Sequence, residues 1–164
     1  MGPRTGIVFN NAISDFTIPN FENYFLLPII DDVNNIKPQK QVMSSMIPLI
    51  VTNKGTGDVR LVVGAAGGTR IISTLTQILV RVLWLQQNIK QAIDAARFHH
   101  QLLPNVLEYE FGLLQQAVED LEKRGHKTRR VRRKSTAVCG VEKSKDGVLL
   151  ANADYRKEGG VDGL

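Results

Sequence analysis

A short run of small residues between two apolar segments is the feature that most constrains the fold of this chain. Residues 62–70, VVGAAGGTR, close an apolar run with two valines and place Gly67 and Gly68 just before a segment with helical periodicity. Glycine lets the backbone of such a turn approach another group closely, because it carries no side chain. The stretch matches neither GxGxxG nor GxxxxGK[ST], so it lacks the pattern of a phosphate-binding loop. Two interpretations stay open: a strand-to-helix connection that packs tightly, or N–H groups at a helix N-terminus that stabilise negative charge on a reacting carbonyl.

Paired apolar runs on both sides of this turn predict β-hairpins. In residues 46–68 the runs flank NKGTGD, and in residues 135–155 they flank SKDG, and both linkers contain residues that favour tight turns. Residues 5–11, TGIVFNN, predict a further buried strand. Residues 14–40 contain three prolines and little periodicity, so they predict a long irregular segment.

Helical periodicity fills the chain between the two hairpins. Apolar residues recur at intervals of three and four, which predicts helices over about residues 69–87, 89–101 and 110–124. Asn88 and Gln91 have the spacing of a capping box at the start of the second helix. Because these helices are separated along the chain from antiparallel strands, the order predicts an α+β fold rather than a doubly wound parallel sheet.

The composition is that of a single globular domain covering residues 1–164, with 43% hydrophobic and 23% charged residues. Eight of the 21 basic residues lie between Lys123 and Lys134, but this run has no aromatic residue for base stacking. The start of a solvated strand is therefore preferred there, and no nucleic-acid partner is expected. The single cysteine, Cys139, excludes an internal disulfide and is expected to be buried. No secretory signal or convincing membrane span is visible.

Several polar side chains are candidates for binding a charged substrate. Ser44 and Ser45 could donate two hydroxyl hydrogen bonds to a carboxylate, and Asp15, close to Asn11, could pair with an ammonium group. An ordinary role stands beside each of these: the start of a solvated strand for the serines, and a turn for the aspartate. The adjacent histidines of RFHHQ would point in different directions on a helix, and no HExxH or CxxC spacing occurs. No metal site and no cofactor are expected.

Five motifs, taken together and in order, resemble the γ-glutamyltranspeptidases, also called glutathione hydrolases. They are GIVFNN…DF, SSM-x-P, VVGAAGGT-x-I, RFHHQLLPN and D-x-RK-x-GG. The resemblance runs from about Gly6 to the end of the chain and corresponds to most of the family's small subunit. It implies part of an N-terminal nucleophile hydrolase fold, an αββα sandwich of antiparallel sheets flanked by helices, which would be incomplete in this chain.

The resemblance also implies a reaction and a set of site residues. In the family, the N-terminal threonine of the small subunit attacks the γ-glutamyl carbonyl of glutathione, with its own α-amine as the base. The acyl group then passes to water, an amino acid or a peptide. The matching positions are Gly67 and Gly68 for the oxyanion hole, Ser44 and Ser45 for the substrate α-carboxylate, and Asp15 with Asn11 for the α-ammonium group. The implied partner is the family's large subunit, which would carry any membrane anchor, and the implied location is the outer face of the plasma membrane.

The sequence departs from the family pattern at two points. Ala12 stands where the family has an acidic residue that helps to hold the substrate ammonium group. The catalytic threonine has no counterpart, because Thr5 abuts GIVFNN directly, so no residue of this chain is predicted to be the nucleophile. These departures lead us to expect a fragment, a truncated gene model or a light-chain-only relative, and to expect the chain alone to be inactive.

Overall fold

The chain divides into two structural units, residues 1–44 and residues 45–164. The computed structural model describes residues 2–18, 26–27, 29, 33–132 and 136–163. Within these ranges no helix is long and apolar enough to cross a membrane. The prediction of a single domain stays a prediction.

The described residues of the first unit form turns and one isolated bridge. A 3₁₀ turn spans Ala12–Asp15, and an isolated parallel bridge joins Thr17 to Asn35. The backbone N–H of Thr17 donates to the carbonyl of Asn34 at 2.9 Å. The predicted strand over residues 5–11 is wrong: among the described residues this segment has no strand partner, and its apolar side chains are exposed. Apolar residues alone do not make a strand when no neighbouring backbone completes the ladder.

A four-stranded antiparallel sheet forms the centre of the second unit. Its strands are β1 (Leu49–Thr52), β2 (Val59–Ala66), β6 (Ala137–Lys143) and β7 (Leu149–Ala153), in the order β1-β2-β6-β7. Both predicted hairpins, β1 with β2 and β6 with β7, are confirmed. Alternation along the strands points one set of side chains inward, including Leu61, Val63 and Val138.

Two helices cover the inner face of this sheet. Helix α1 spans Arg70–Leu83 and helix α2 spans Ile89–Asp94. The predicted capping box at Asn88 and Gln91 is confirmed, since each residue's side chain bonds to the backbone N–H of the other. The helices and the inner strand residues share one apolar core, whose members are Leu61, Val63, Ile71, Leu75, Ile78, Val82, Ile89, Ala92, Ile93 and Val138.

A second sheet contains β3 (Phe98–His99), β4 (Leu107–Glu110) and β5 (Thr128–Val131), in the order β3-β4-β5. Strand β3 pairs antiparallel with β4, but β4 and β5 are parallel, which the prediction of antiparallel sheets did not include. A parallel pair needs a crossover connection. Helix α3, Gln115–Lys123, lies in that connection and buries Val118.

All three predicted helices are longer than the structure has them. The first ends at Leu83 rather than at about residue 87. The second ends at Asp94 rather than at residue 101, because Ala95 adopts an extended conformation and the next residues enter β3. The Gln77 side chain bonds to both the N–H and the carbonyl of Phe98, and these two bonds hold the backbone of β3 in its extended conformation. The third helix begins at Gln115 rather than at residue 110, since Glu110 ends β4.

The prediction that Cys139 is buried is wrong. Strand alternation turns Val138 and Gly140 towards the core, so the thiol between them faces outward and is exposed. The run of residues 123–134 is predicted to contain the start of a solvated strand. Strand β5 begins inside it, and Arg129, Arg130 and Arg132 are exposed. Residues 133–135 lie outside the described part of the chain.

Candidate active site

The glycine turn connects the end of β2 at Ala66 to the start of α1 at Arg70. Gly67 has φ of 147° and Gly68 has φ of 63°, and both values lie in the region that favours glycine. The carbonyl of Gly68 accepts the N–H of Ile71 at 3.0 Å. The strand-to-helix connection expected from the sequence is therefore present, with both glycines in conformations that their residue type permits.

The backbone N–H groups of Gly67 and Gly68 are the candidate donors of this turn. Within the described part of the chain, nothing accepts a hydrogen bond from the N–H of Gly67 or Gly68. Thr69 is the N-cap residue, yet its side chain accepts no hydrogen bond from the first turn of α1. The positive end of the helix dipole lies at the same place, which favours negative charge there.

A partly buried hydrogen-bond network holds the turn against β3 and the loop that follows it. The Thr69 hydroxyl donates to Oε1 of Gln101 at 2.8 Å, and His99 Nε2 lies 2.9 Å from the same oxygen. His99 Nδ1 lies 2.8 Å from Oγ of Ser73, one turn along α1. With the proton on Nε2, His99 donates to Gln101 and its Nδ1 accepts the hydroxyl of Ser73, which also lies 3.2 Å from the carbonyl of Arg70.

His99 is 9% exposed, and its environment favours the neutral ring. Burial, together with the nearby positive charge of Arg70, lowers the pKa of His99 below its usual value, although the bond to Gln101 acts in the opposite direction. The buried carboxylate of Glu108 pairs with both Arg70 and Arg129, so these three side chains together carry one net positive charge. Sequence reasoning rejected the histidine pair as a metal site but did not predict this role for His99.

A second network, of buried ion pairs, explains two of the family motifs. Arg97 Nη2 donates to Oδ2 of Asp154 at 2.7 Å, and Arg156 Nη1 donates to Oδ1 at 3.1 Å. Arg156 also pairs with Glu110 at 2.5 Å. Arg97 belongs to RFHHQ, whereas Asp154 and Arg156 belong to D-x-RK. The sequence motifs marked these residues, but only the fold shows that they meet.

The candidates for binding the substrate ammonium group share the 3₁₀ turn of the first unit. Asn11 is its N-cap residue, and its carbonyl accepts the N–H of Ser14 at 3.1 Å. Asp15 is the last residue of the turn, and its carbonyl accepts Asn34 Nδ2 at 2.8 Å. Ala12 donates its N–H to Oδ1 of Asn10 at 3.0 Å and presents only a methyl group.

The two serines adjoin the boundary between the units. Ser44 is the last residue of the first unit and is exposed, whereas Ser45 is the first residue of the second unit and is half-buried. Among the described residues, no group of three or more His, Cys, Asp or Glu side chains could hold a metal ion.

The family of the chain follows from comparison with known proteins. Residues 1–164 match the family model described as gamma-glutamyltranspeptidase. Scoloptoxin SSD20 of Scolopendra dehaani is 44% identical over 162 residues, which are 99% of this chain and 81% of that protein. Glutathione hydrolase proenzyme 2 of Schizosaccharomyces pombe is 34% identical over 142 residues, but these cover 87% of this chain and only 23% of that protein.

The solved structures agree with this assignment. A mutant γ-glutamyltranspeptidase of Helicobacter pylori superposes with a TM-score of 0.84 at 34% identity, over 95% of this chain and 84% of that chain. The fold is thus α+β and forms part of an N-terminal nucleophile hydrolase sandwich. The chain belongs to the γ-glutamyltranspeptidase family. Members of this family are γ-glutamyltransferase enzymes with a large and a small subunit, and they include glutathione hydrolases.

Proposed function

We propose that this chain is the small-subunit region of a γ-glutamyltransferase and glutathione hydrolase. The reaction is cleavage of the γ-glutamyl amide of glutathione and transfer of the γ-glutamyl group to water, amino acids or peptides. The observation that carries the proposal is the turn at Gly67 and Gly68 at the N-terminus of α1, whose two N–H groups donate to no acceptor among the described residues. The turn lies in the VVGAAGGT-x-I motif of the family.

In the proposed mechanism the glycine turn stabilises the tetrahedral intermediate. When a nucleophile adds to the γ-glutamyl carbonyl, the carbonyl oxygen becomes negatively charged, and the N–H groups of Gly67 and Gly68 donate to it. Donors already held in place need no reorganisation as the charge develops, so they lower the barrier. The nucleophile is the family's N-terminal threonine, and none of the 164 residues is assigned that role.

The substrate-binding roles follow from the matching motif positions. The hydroxyls of Ser44 and Ser45 donate to the α-carboxylate of the γ-glutamyl group, and Asp15 accepts from its α-ammonium group with the help of Asn11. Ala12 removes one carboxylate of the family pattern. A hydrogen bond to a charged group is worth about 1.5–3 kcal/mol, so we expect weaker binding of the ammonium group than in relatives with an acid there.

The large subunit is proposed to cover the outer face of the four-stranded sheet. One row of apolar side chains crosses all four strands through the pairs Ile50–Val62, Val62–Val141 and Val141–Ala151. Ile50 is 68% exposed and Val62 is 44% exposed. An apolar sheet face is stable when a second layer covers it, and a sandwich supplies that layer. The assembled protein is proposed to act at the outer face of the plasma membrane, attached only through the large subunit.

The test compares two substitutions in the complete protein. Gly68→Val places a β-branched side chain at positive φ beside a donor and is expected to lower kcat by about 10²–10³, the usual loss for one oxyanion donor. Ser45→Ala removes a contact made equally before and during reaction, so it is expected to act mainly on KM. Gly57→Val is the matched control, since Gly57 has φ of 77° in the β1–β2 turn with no atom near its missing Cβ.

The control separates chemistry from backbone strain. If Gly57→Val lowers kcat as much as Gly68→Val does, the loss reflects folding rather than the oxyanion. If Gly68→Val keeps its kcat while Ser45→Ala loses it, the two roles have been assigned the wrong way round.

A second candidate function is a catalytically inactive light-chain-like protein that acts only through a partner subunit. The observation that favours it is the match to scoloptoxin SSD20, of which this chain covers 81%. Assay of the complete protein with glutathione decides between the two, because only the first candidate releases glutamate.

A further inference from the structure

Gln101 reaches the glycine turn from a distant part of the sequence. Its Oε1 accepts the hydroxyl of Thr69, the residue that follows Gly68, at 2.8 Å. Its Nε2 donates to the carbonyl of Leu103 at 2.9 Å. An amide has one acceptor end and one donor end, so the bond to Leu103 fixes which end faces Thr69. The carboxamide oxygen of Gln101 is therefore a fixed acceptor aimed at the N-cap residue of α1.

Thr69 uses its hydroxyl for this contact instead of for capping. A threonine at the N-cap position usually accepts a hydrogen bond from an N–H of the first helical turn. Thr69 makes no such bond and instead donates away from the helix. The bond to Gln101 ties down the residue that follows Gly68 and uses neither glycine N–H group.

The network bonds to α1 at two residues, Thr69 and Ser73, and we call this set of contacts the brace. His99 Nε2 lies 2.9 Å from Oε1 of Gln101, and His99 Nδ1 lies 2.8 Å from Oγ of Ser73. Thr69 and Ser73 are one helical turn apart, so hydrogen bonds hold both ends of the first turn of α1. The groups around the His99 ring include Arg70 of α1, His100 beside it and Glu108 of β4, which pairs with His99 in register.

We propose that Gln101 is a positioning residue for the proposed acyl transfer: through the Thr69 hydroxyl it holds the N–H groups of Gly67 and Gly68 in the orientation that receives the oxyanion. The inference rests on the proposed function, since orientation of these donors matters only if they meet a reacting carbonyl. Small displacements of a catalytic group cost about 10²-fold in rate. Loss of the brace leaves both donors in the chain but free to move, so the expected effect is a decrease in kcat of about 10- to 100-fold.

The kinetic experiment uses the complete protein and a γ-glutamyl anilide. Gln101→Leu and Thr69→Val each remove one end of the bond, and both are expected to lower kcat about 10- to 100-fold with KM within about 3-fold. Thr69→Ser keeps the hydroxyl and is expected to restore kcat. Gln77→Leu is the matched control, because Gln77 also ties α1 to β3, through Phe98, but two turns away from the glycines. Thr76→Val is the control for loss of a threonine hydroxyl on the same helix.

The second readout does not depend on activity. Amide hydrogen exchange at Ile71, whose N–H donates to the carbonyl of Gly68 at 3.0 Å, is expected to speed up in Gln101→Leu and to stay unchanged in Gln77→Leu. If the wild-type protein has no activity, the proposed function fails and this exchange measurement alone decides whether Gln101 braces the turn. If the wild type is active, equal kcat values for Gln101→Leu and Gln77→Leu, or unchanged exchange at Ile71, overturn the inference.

Discussion

The carboxylate of Asp154 offers the sharpest test of what holds the second unit together. It is 2% exposed and accepts four hydrogen bonds, two on each oxygen. Oδ2 accepts Arg97 Nη2 at 2.7 Å and the N–H of Val138 at 3.0 Å. Oδ1 accepts the N–H of Arg156 at 3.0 Å and its Nη1 at 3.1 Å. Burial alone would raise the pKa of Asp154, but the bonds from Arg156 and Arg97 outweigh this and hold the pKa below its usual value.

The substitution Asp154→Asn keeps the shape of the side chain and removes its charge. The amide nitrogen cannot accept, so one pair of donors loses its partner, and the charges of Arg97 and Arg156 are then balanced only by Glu110. Breaking a buried ion pair from one side costs about 3–5 kcal/mol. We therefore expect the free energy of unfolding to decrease by that amount. Asp120→Asn, on the exposed face of α3, is the matched control and is expected to change it by less than about 0.5 kcal/mol.

Two measurements on the complete protein check this prediction. Urea denaturation followed by circular dichroism gives the change in stability, and amide exchange at Val138 and Arg156 reports the two backbone donors directly. The pH dependence has a defined sign. Because the folded pKa of Asp154 is lowered, its contribution is present above the unfolded value of about 3.9 and is lost as the pH falls through the folded pKa. A loss below about 1 kcal/mol, with Val138 still protected, would refute the reasoning.

Three further predictions concern other parts of the second unit. Gly140→Ala is expected to cost about 1–3 kcal/mol in urea denaturation, because the new Cβ would lie 3.0 Å from Cδ1 of Ile89, whereas Gly64→Ala has open space and is expected to be nearly neutral. The lowered pKa of His99 means that its neutral ring stabilises the fold above about pH 6.5 and that this contribution is lost as the pH falls through the folded pKa. Thermal scans should therefore show a smaller acid loss for His99→Gln than for the wild type, and equal losses would contradict the assignment. The 164-residue chain alone is expected to release no product from a γ-glutamyl anilide, since no residue in it is assigned as the nucleophile. Turnover that survives repurification and disappears in Ser44→Ala would be the contrary result.

The parts of the fold that could be predicted from the sequence are those determined by residues close together in the chain. Both hairpins carry turn residues between apolar runs, and the capping box at Asn88 needs only residues three apart. Strand β3 could not be predicted in this way, because its backbone at Phe98 is held by hydrogen bonds from the side chain of Gln77 in helix α1. The outward position of Cys139 depends on the register of β6, and a shift of one residue would reverse it.

The candidate site also has parts with local causes, which could be predicted, and parts that depend on the tertiary fold, which could not. The turn at Gly67 and Gly68 could be predicted, because small residues between a strand and a helix have a local meaning. The contact between Gln101 and Thr69 could not, since it joins residues that only the fold brings together. The same holds for the ion pair of Arg97 with Asp154, although both belong to motifs that marked them as important.

The outward-facing thiol of Cys139 makes this chain a reporter of the proposed assembly. It lies on the outer face of the four-stranded sheet, opposite Gly64 on one side and Ala153 on the other. Because it is the single cysteine of the chain, any thiol-specific label attaches there and nowhere else. If the proposed second layer covers this face, a disulfide reagent such as dithionitrobenzoate will modify the free chain quickly and the assembled protein slowly. The amount of thiol that reacts in the fast phase then measures the fraction of chains that are not assembled, without any engineered tag.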